Sequence, residues 1–492
     1  MTASSDFCRR HVLHSGNGEL ADDVFPYSSV DQIDEMLDAG AKCPNGLVFF
    51  IHGGLVGVDA AVDRAVRLEP YWGKRARAHA VFFAWESSLI ETFTNDYPPI
   101  LRRIVRMFTG HAKALVERTI QARSDGAWSA FITQPNYQQN ARAELEFLLI
   151  DDVGLNIQID LAARRVPVGT NSLIATEENV LVEPQEHFDT ALQPLSRETY
   201  EAIFGATETR TDLFMALLAP LSPMQNFVAR ALGVFDDVMR RVDAHRDHGA
   251  VATIQEECIR SFKIGNAAWD SMKADTAASV QPTEKACGTA LIGAIARREN
   301  DKTKAPLSKV TIVAHSAGSI LACHLLRLAD EQGIKQRFNV VFLAPAVTHS
   351  FFAETIRLHG SVINKFRLFT MRDHFEQLDG VPSRRLALYE HSLLYLVSGS
   401  FETRPVDETN IRGDVPILGM RRFAEMSGDL SASESADVSF VENYLAKPTQ
   451  KGFWSVTGKH TPIGEVTRSK THGGFPEDPG TKRSVLEFIC TA

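Results

Sequence analysis

Short apolar runs that are continuous rather than alternating constrain this fold more than any other feature of the chain. Gly46-Leu-Val-Phe-Phe-Ile51 and Ala80-Val-Phe-Phe-Ala84 string β-branched and aromatic residues together without a polar break. A strand with one wet face alternates, so an unbroken run marks a strand covered on both faces, as in a parallel sheet. The stretch from Asp59 to Arg77 between them has helical periodicity and completes a strand-helix-strand unit. The pattern returns with Lys309 to Val313, a helical run from Ser319 to Ala329, and Asn339-Val-Val-Phe-Leu343. It returns again with a helical stretch around Phe351 to Leu358 and a strand from Lys365 to Met371. Right-handed crossovers place helices on both faces of such a sheet, so the expected class is α/β, a doubly wound and mostly parallel sheet.

The strand-bearing parts are separated in sequence. Residues 1–98 and 301–492 carry them, and 99–300 reads as a large, mainly helical insertion or cap. Helical periodicity covers Ile100 to Ile120, Ala141 to Leu149, Asp212 to Arg241 and Ile254 to Met272, with a small hairpin expected at Ile157 to Glu183. The segment from about 402 to 469 is rich in Gly, Pro, Ser and charge and reads as loops over the sheet. A last helix is expected from Thr481 to Ile489. At 492 residues the chain has room for one large α/β unit with insertions.

Composition excludes several classes. A formal charge of -9 gives no electrostatic footprint for a phosphate backbone, so nucleic acid is not an expected partner. The six cysteines are scattered, with none at zinc-ligand spacing, and they read as isolated thiols. No metal or other cofactor is expected. The most apolar long stretch, Leu213 to Phe235, is broken by Pro220, Pro223, Gln225, Asn226 and Arg230, so no transmembrane segment is expected. With early charges and no apolar signal region at the N-terminus, a cytoplasmic location is the expectation.

The chemistry concentrates at strand ends. Ala314-His-Ser-Ala-Gly318 follows a buried strand and opens a helix, and such a sharp turn flanked by small residues lifts a serine hydroxyl clear of the backbone. Ser316 is the candidate nucleophile; Ser319 reads as a capping or packing residue, and His315 as structural. Ile51-His-Gly-Gly-Leu55 follows another buried strand. The N-H groups of Gly53 or Gly54, with that of Ala317, are candidates for stabilising an oxyanion, and His52 is expected to shape that loop. Asp373, at the end of a later strand, is the candidate acid, with Glu376 and Asp379 as alternatives. In the chain order serine, acid, histidine, the candidate base is His472 in Thr471-His-Gly-Gly474, ahead of His460, His391 and His374.

Phe50-Ile-His-Gly-Gly54, Phe83-Ala-Trp-Glu86, Ala314-His-Ser-Ala-Gly318, Asp373 and Thr471-His-Gly-Gly474 together resemble the α/β-hydrolase superfamily, especially bacterial serine hydrolases of the esterase type. The resemblance covers the two sheet-forming portions. It implies metal-free acyl-enzyme chemistry by Ser316, Asp373 and His472 on an ester, with amide, peptide and thioester hydrolysis or acyl transfer as alternatives. Ala314 stands where the usual motif has glycine, and the long interval from Asp373 to His472 requires 402–469 to leave the site and return. The expected substrate is a small-molecule or lipid-like acyl compound, with Phe214, Met215, Leu217, Leu218 and Phe227 available to cap an apolar acyl group. A hydrolase fold used only for binding, or an interaction scaffold built on the insertion, are the readings from other classes.

Overall fold

The computed structural model describes residues 3–54, 56–85, 221–263, 266–381, 389–404, 410–426 and 429–492, with isolated positions between 109 and 121. The helix expected at Ala141 to Leu149, the hairpin at Ile157 to Glu183, most of Ile100 to Ile120, Glu86, and the side chains of Phe214, Met215, Leu217, Leu218 and Phe227 lie outside the described residues. The chain divides into two units, one of residues 1–90, 268–398 and 415–492, the other of 91–267 and 399–414.

The first unit is built on an eight-stranded sheet: β1 (Val12–Gly16), β2 (Glu19–Leu20), β3 (Leu47–Ile51), β4 (His79–Trp85), β5 (Val310–His315), β6 (Phe338–Leu343), β7 (Ile363–Met371) and β8 (Gln450–Ser455). Their order is β2-β1-β4-β3-β5-β6-β7-β8. Among the described strand pairs of this sheet, only β1–β2 is antiparallel. Every residue of β3, β5 and β6 is buried, which is why those runs carry no alternation. Helices α1 (Ser5–His11), α2 (Val30–Ala41), α3 (Val58–Glu69), α4 (Cys287–Asn300), α5 (Gly318–Glu331), α6 (His349–His359), α7 (Ala432–Leu445) and α8 (Pro479–Thr491) accompany the sheet. The expected doubly wound class is the observed one.

Where 402–469 was expected to form loops, the structure has a helix and a strand. A capping box starts α7: Ser431 Oγ accepts from Glu434 N at 3.3 Å, and Glu434 Oε2 accepts from Ser431 N at 3.0 Å. The Phe352 and Tyr444 rings, 6.1 Å apart, join α6 to α7. β8 then pairs with β7 as the last strand of the sheet. As an edge strand, Gln-Lys-Gly-Phe-Trp-Ser lacks the continuous apolar run that marks a central strand, and β1 and β2 at the other edge are similarly faint.

The second unit, described by itself, holds a buried charge network. His248 Nδ1 lies 2.7 Å from Glu256 Oε1, and His248 Nε2 lies 2.8 Å from Asp414 Oδ1. Arg241 pairs with Glu256 and Glu257 at 2.7 and 3.0 Å, and Arg246 with Asp414 at 2.6 Å. These pairs tie Asp414 to the helix Ala250–Ser261 and to the end of the helix Leu221–Asp243. Charges taken this far from water are tolerated because each meets an opposite one. Among the described residues, no helix is long and apolar enough to cross a membrane.

Parallel pairing sets the position of the site. Ile51 at the end of β3 stands beside Ala314 near the end of β5, so the loops leaving both strands emerge at the same sheet edge. The start of α5 passes close to the end of β3. A Cβ built on Gly318 comes within 2.7 Å of the carbonyl oxygens of both Ile51 and His52. Backbone cannot give way as a flexible side chain can, so Gly318→Ala is expected to lower unfolding free energy by about 1–3 kcal/mol. Gly293, inside α4, has only the end of Arg297 near its added Cβ, at 3.6 Å. Gly293→Ala should therefore gain up to about 1 kcal/mol from helix propensity. Urea unfolding of the two variants checks both signs; a Gly318→Ala variant as stable as the parent contradicts the close-approach account.

Candidate active site

Ser316 follows β5 directly and has a φ of 54°. That left-handed conformation is costly for a residue with a Cβ and turns the chain sharply from strand into α5. Main-chain bonds hold the turn. Ser316 N donates to Leu343 O at the end of β6, and Ser316 O accepts from Ala346 N and Ser319 N, each at 3.0 Å. Ser319 Oγ donates to Ser316 O at 2.6 Å and accepts from Val347 N at 3.1 Å, so this second hydroxyl supports the turn.

The glycine loop after β3 lies against this elbow. A Cβ on Gly53 would sit 2.7 Å from Ser316 Cβ and 3.3 Å from its Oγ. A Cβ on Gly54 would meet the end of the Met272 side chain, Sδ at 2.5 Å, and approach Ala317 Cβ at 3.4 Å. Close approach to the fixed Ser316 Cβ thus demands glycine at 53, whereas at 54 the flexible Met272 side chain can move aside. His52 braces the loop from behind. Trp85 N donates to His52 Nε2 at 3.2 Å, which leaves the ring proton on Nδ1, facing Gly53 O at 2.8 Å. Trp85 Nε1 donates to His52 O at 3.0 Å. Burial pushes the His52 imidazole down to about 4, so it stays neutral in this role.

His472 arrives from 156 residues away and lies at the start of the single turn His472–Gly474. Its Nε2 is 2.8 Å from Ser316 Oγ. The ring is buried, which pushes its pKa down to about 4. A neutral ring that accepts from the serine at Nε2 carries its proton at Nδ1, and Nδ1 has no hydrogen-bond partner among the described residues. The main chain of His472 is well held: its N-H donates to Asp379 Oδ2 at 2.5 Å, and its carbonyl oxygen lies 3.0 Å from His315 Nε2. The loop is anchored further by the buried ring of Phe475 and by Asp478, which caps α8 through Thr481 N at 2.8 Å.

Of the expected residues, Ser316, His472, Gly53, Gly54 and Ala317 come together, whereas Asp373 does not hydrogen-bond to His472. Its Oδ1 accepts from Tyr395 Oη at 2.6 Å and its Oδ2 from Gln377 Nε2 at 2.8 Å. Asp373 begins the short helix Asp373–Glu376, and the chain must complete that turn before a carboxylate, that of Asp379, reaches the histidine loop. Glu376, between them, is buried; removal from water pushes its carboxyl up to about 8, with the charges of Asp379 and Asp373 adding to the rise. His460 and His374 are exposed, and His391 Nδ1 lies 2.9 Å from Gln377 O. The anchoring of His472 O by His315 is a contact that sequence order could not reveal.

Residues 284–375 match a family model described as an alpha/beta hydrolase of unknown function (DUF900). The fold is that of an α/β hydrolase. The match runs from just before α4 through β5, the Ser316 turn, β6 and β7, so it spans the center of this α/β-hydrolase sheet and stops short of Asp379 and His472. No curated protein and no solved structure matches the chain significantly.

The buried imidazoles make acid stability testable. Folding lowers the pKa of His52 and His472 from the ordinary 6.5 to about 4. Their contribution to stability is therefore full above pH 6.5 and is lost as the pH falls from 6.5 toward 4, because the unfolded chain takes up protons that the folded one refuses. Melting temperature should fall between pH 7 and pH 5.5, and less steeply in His472→Gln. A flat profile across that window would contradict the buried neutral state.

Proposed function

We propose that the protein is a serine hydrolase that cleaves a carboxylic ester through an acyl-enzyme, with Ser316 as nucleophile and His472 as base. The observation that carries the reading is the 2.8 Å separation of Ser316 Oγ and His472 Nε2, on a serine held at positive φ. Nucleophile and base at hydrogen-bond distance, on a rigid elbow, is the arrangement that acyl transfer needs. His472 takes the serine proton as Oγ attacks the ester carbonyl carbon. The resulting oxyanion is met by the main-chain N-H groups of Ala317 and of Gly53 or Gly54. The imidazolium then returns the proton to the departing alkoxide, and a water molecule activated by the same imidazole releases the acid and restores Ser316.

The acid in this mechanism is Asp379 rather than Asp373. Positive charge developing on His472 must be balanced at Nδ1, and a buried N-H left without an acceptor costs about 1–3 kcal/mol. Asp379 already bonds the main-chain N-H of the same residue, which is the ground for assigning it to the ring. Asp373 has both oxygens engaged by Tyr395 and Gln377.

Ser316→Ala should abolish turnover of a simple aryl ester with an unchanged melting temperature. Equal turnover by that variant overturns the reading, and a wild-type protein inert to esters and to fluorophosphonates favours a binding role for the fold. Among carboxylates, Asp379→Asn should lower kcat by roughly 10²–10⁴-fold, as loss of the orienting acid does in serine hydrolases generally. Asp373→Asn should stay within a few-fold of the parent, and the reverse ranking returns the acid to Asp373.

A further inference from the structure

We infer that His315, the residue before the nucleophile, positions the base through the main chain of His472. The inference rests on the serine hydrolase reading and adds to it the means by which one motif residue registers the histidine loop on the elbow. His315 ends β5, and its ring is buried against that of His472, with centroids 5.2 Å apart. Its Nε2 lies 3.0 Å from His472 O. A carbonyl oxygen only accepts, so Nε2 carries the proton and donates.

The geometry explains why this bond matters more than an ordinary loop contact. The N-H and the C=O of residue 472 flank its Cα. Asp379 holds the first at 2.5 Å and His315 the second at 3.0 Å. With both ends fixed, the direction of the Cα–Cβ bond is fixed, and only the two side-chain torsions remain to bring Nε2 to Ser316. The clamp matters because the next residue is Gly473, where an added Cβ meets nothing within 4 Å, and the firmly packed Gly474 lies one residue further on. A glycine beside His472 supplies little stiffness of its own.

The other ring nitrogen faces the nucleophile's surroundings. His315 Nδ1 is buried without a hydrogen-bond partner among the described residues, and a Cβ on Gly53 would come within 3.0 Å of it. One imidazole thus touches the base loop on one side and the glycine loop on the other. With its only proton committed to His472 O, and with burial holding its pKa well below the ordinary value, His315 does not compete as a base. It acts through His472, as a positioning residue.

The test uses His315→Phe, which keeps the ring without a donor, and His315→Gln, whose amide nitrogen can stand where Nε2 does. Three quantities are read on the full-length protein: kcat and KM for an aryl ester, the rate of labelling by a fluorophosphonate, and amide hydrogen exchange of the peptide spanning 469–475. His315→Phe should lower kcat and the labelling rate roughly 10–100-fold with KM little changed, the size expected for slight misplacement of a catalytic group. It should also speed exchange across 469–475, while His315→Gln restores both to within a few-fold. Wild-type exchange of that peptide in His315→Phe overturns the inference, as does unchanged kcat in that variant. If the wild-type protein itself hydrolyses no ester and takes no label, the hydrolase reading fails, and the exchange measurement still decides whether His315 holds the loop.

Discussion

Ser316 sits at a φ of 54°, in a region that a side chain enters at a cost of about 1–3 kcal/mol, and the surrounding main chain holds it there. Its N-H bonds the end of β6, and its carbonyl is shared by Ser319 and Ala346. The bonds to Leu343 and Ala346 come from beyond α5, so the elbow exists only once β5 and β6 are paired. The helix it launches must then clear the end of β3, which requires glycine at 318. Parallel pairing, the serine conformation and the glycine are three aspects of one constraint.

The histidine loop is fastened to the same point. The His472 ring reaches Ser316, its carbonyl reaches His315 and its amide reaches Asp379. Residues from β5, from the turn after β7 and from the segment before α8 therefore meet at one peptide. The strand β8 and helix α7, between Asp379 and His472 in sequence, explain the long interval: they add an edge strand to the sheet before the chain returns to the site.

What could be read in the sequence follows from what is buried on both sides. β3 to β6 announced themselves because a doubly covered strand leaves little room for polar residues, β7 through its buried apolar end from Leu368 to Met371, and the serine elbow was legible because the turn demands small neighbours. β8 was not, since an edge strand containing Lys451 and Gly452 looks like a loop. Long-range contacts were also hidden. Asp373 has the position after a strand that sequence order favours, yet Tyr395 and Gln377 occupy its carboxylate, and Asp379 at the far end of the following turn is the one against His472. His315 reads as structural from its place beside Ser316; its contact with a carbonyl 157 residues away appears only in the folded chain.

The central claim is that Ser316 carries the acyl group. Intact-mass spectrometry of the protein acid-quenched during turnover of a slowly deacylating aryl ester, followed by peptide mapping, tests it most directly. The account predicts a mass increase equal to the acyl group, on the peptide containing Ser316 and absent from Ser316→Ala. Turnover with no adduct on that peptide, or an adduct that persists in Ser316→Ala, would contradict it.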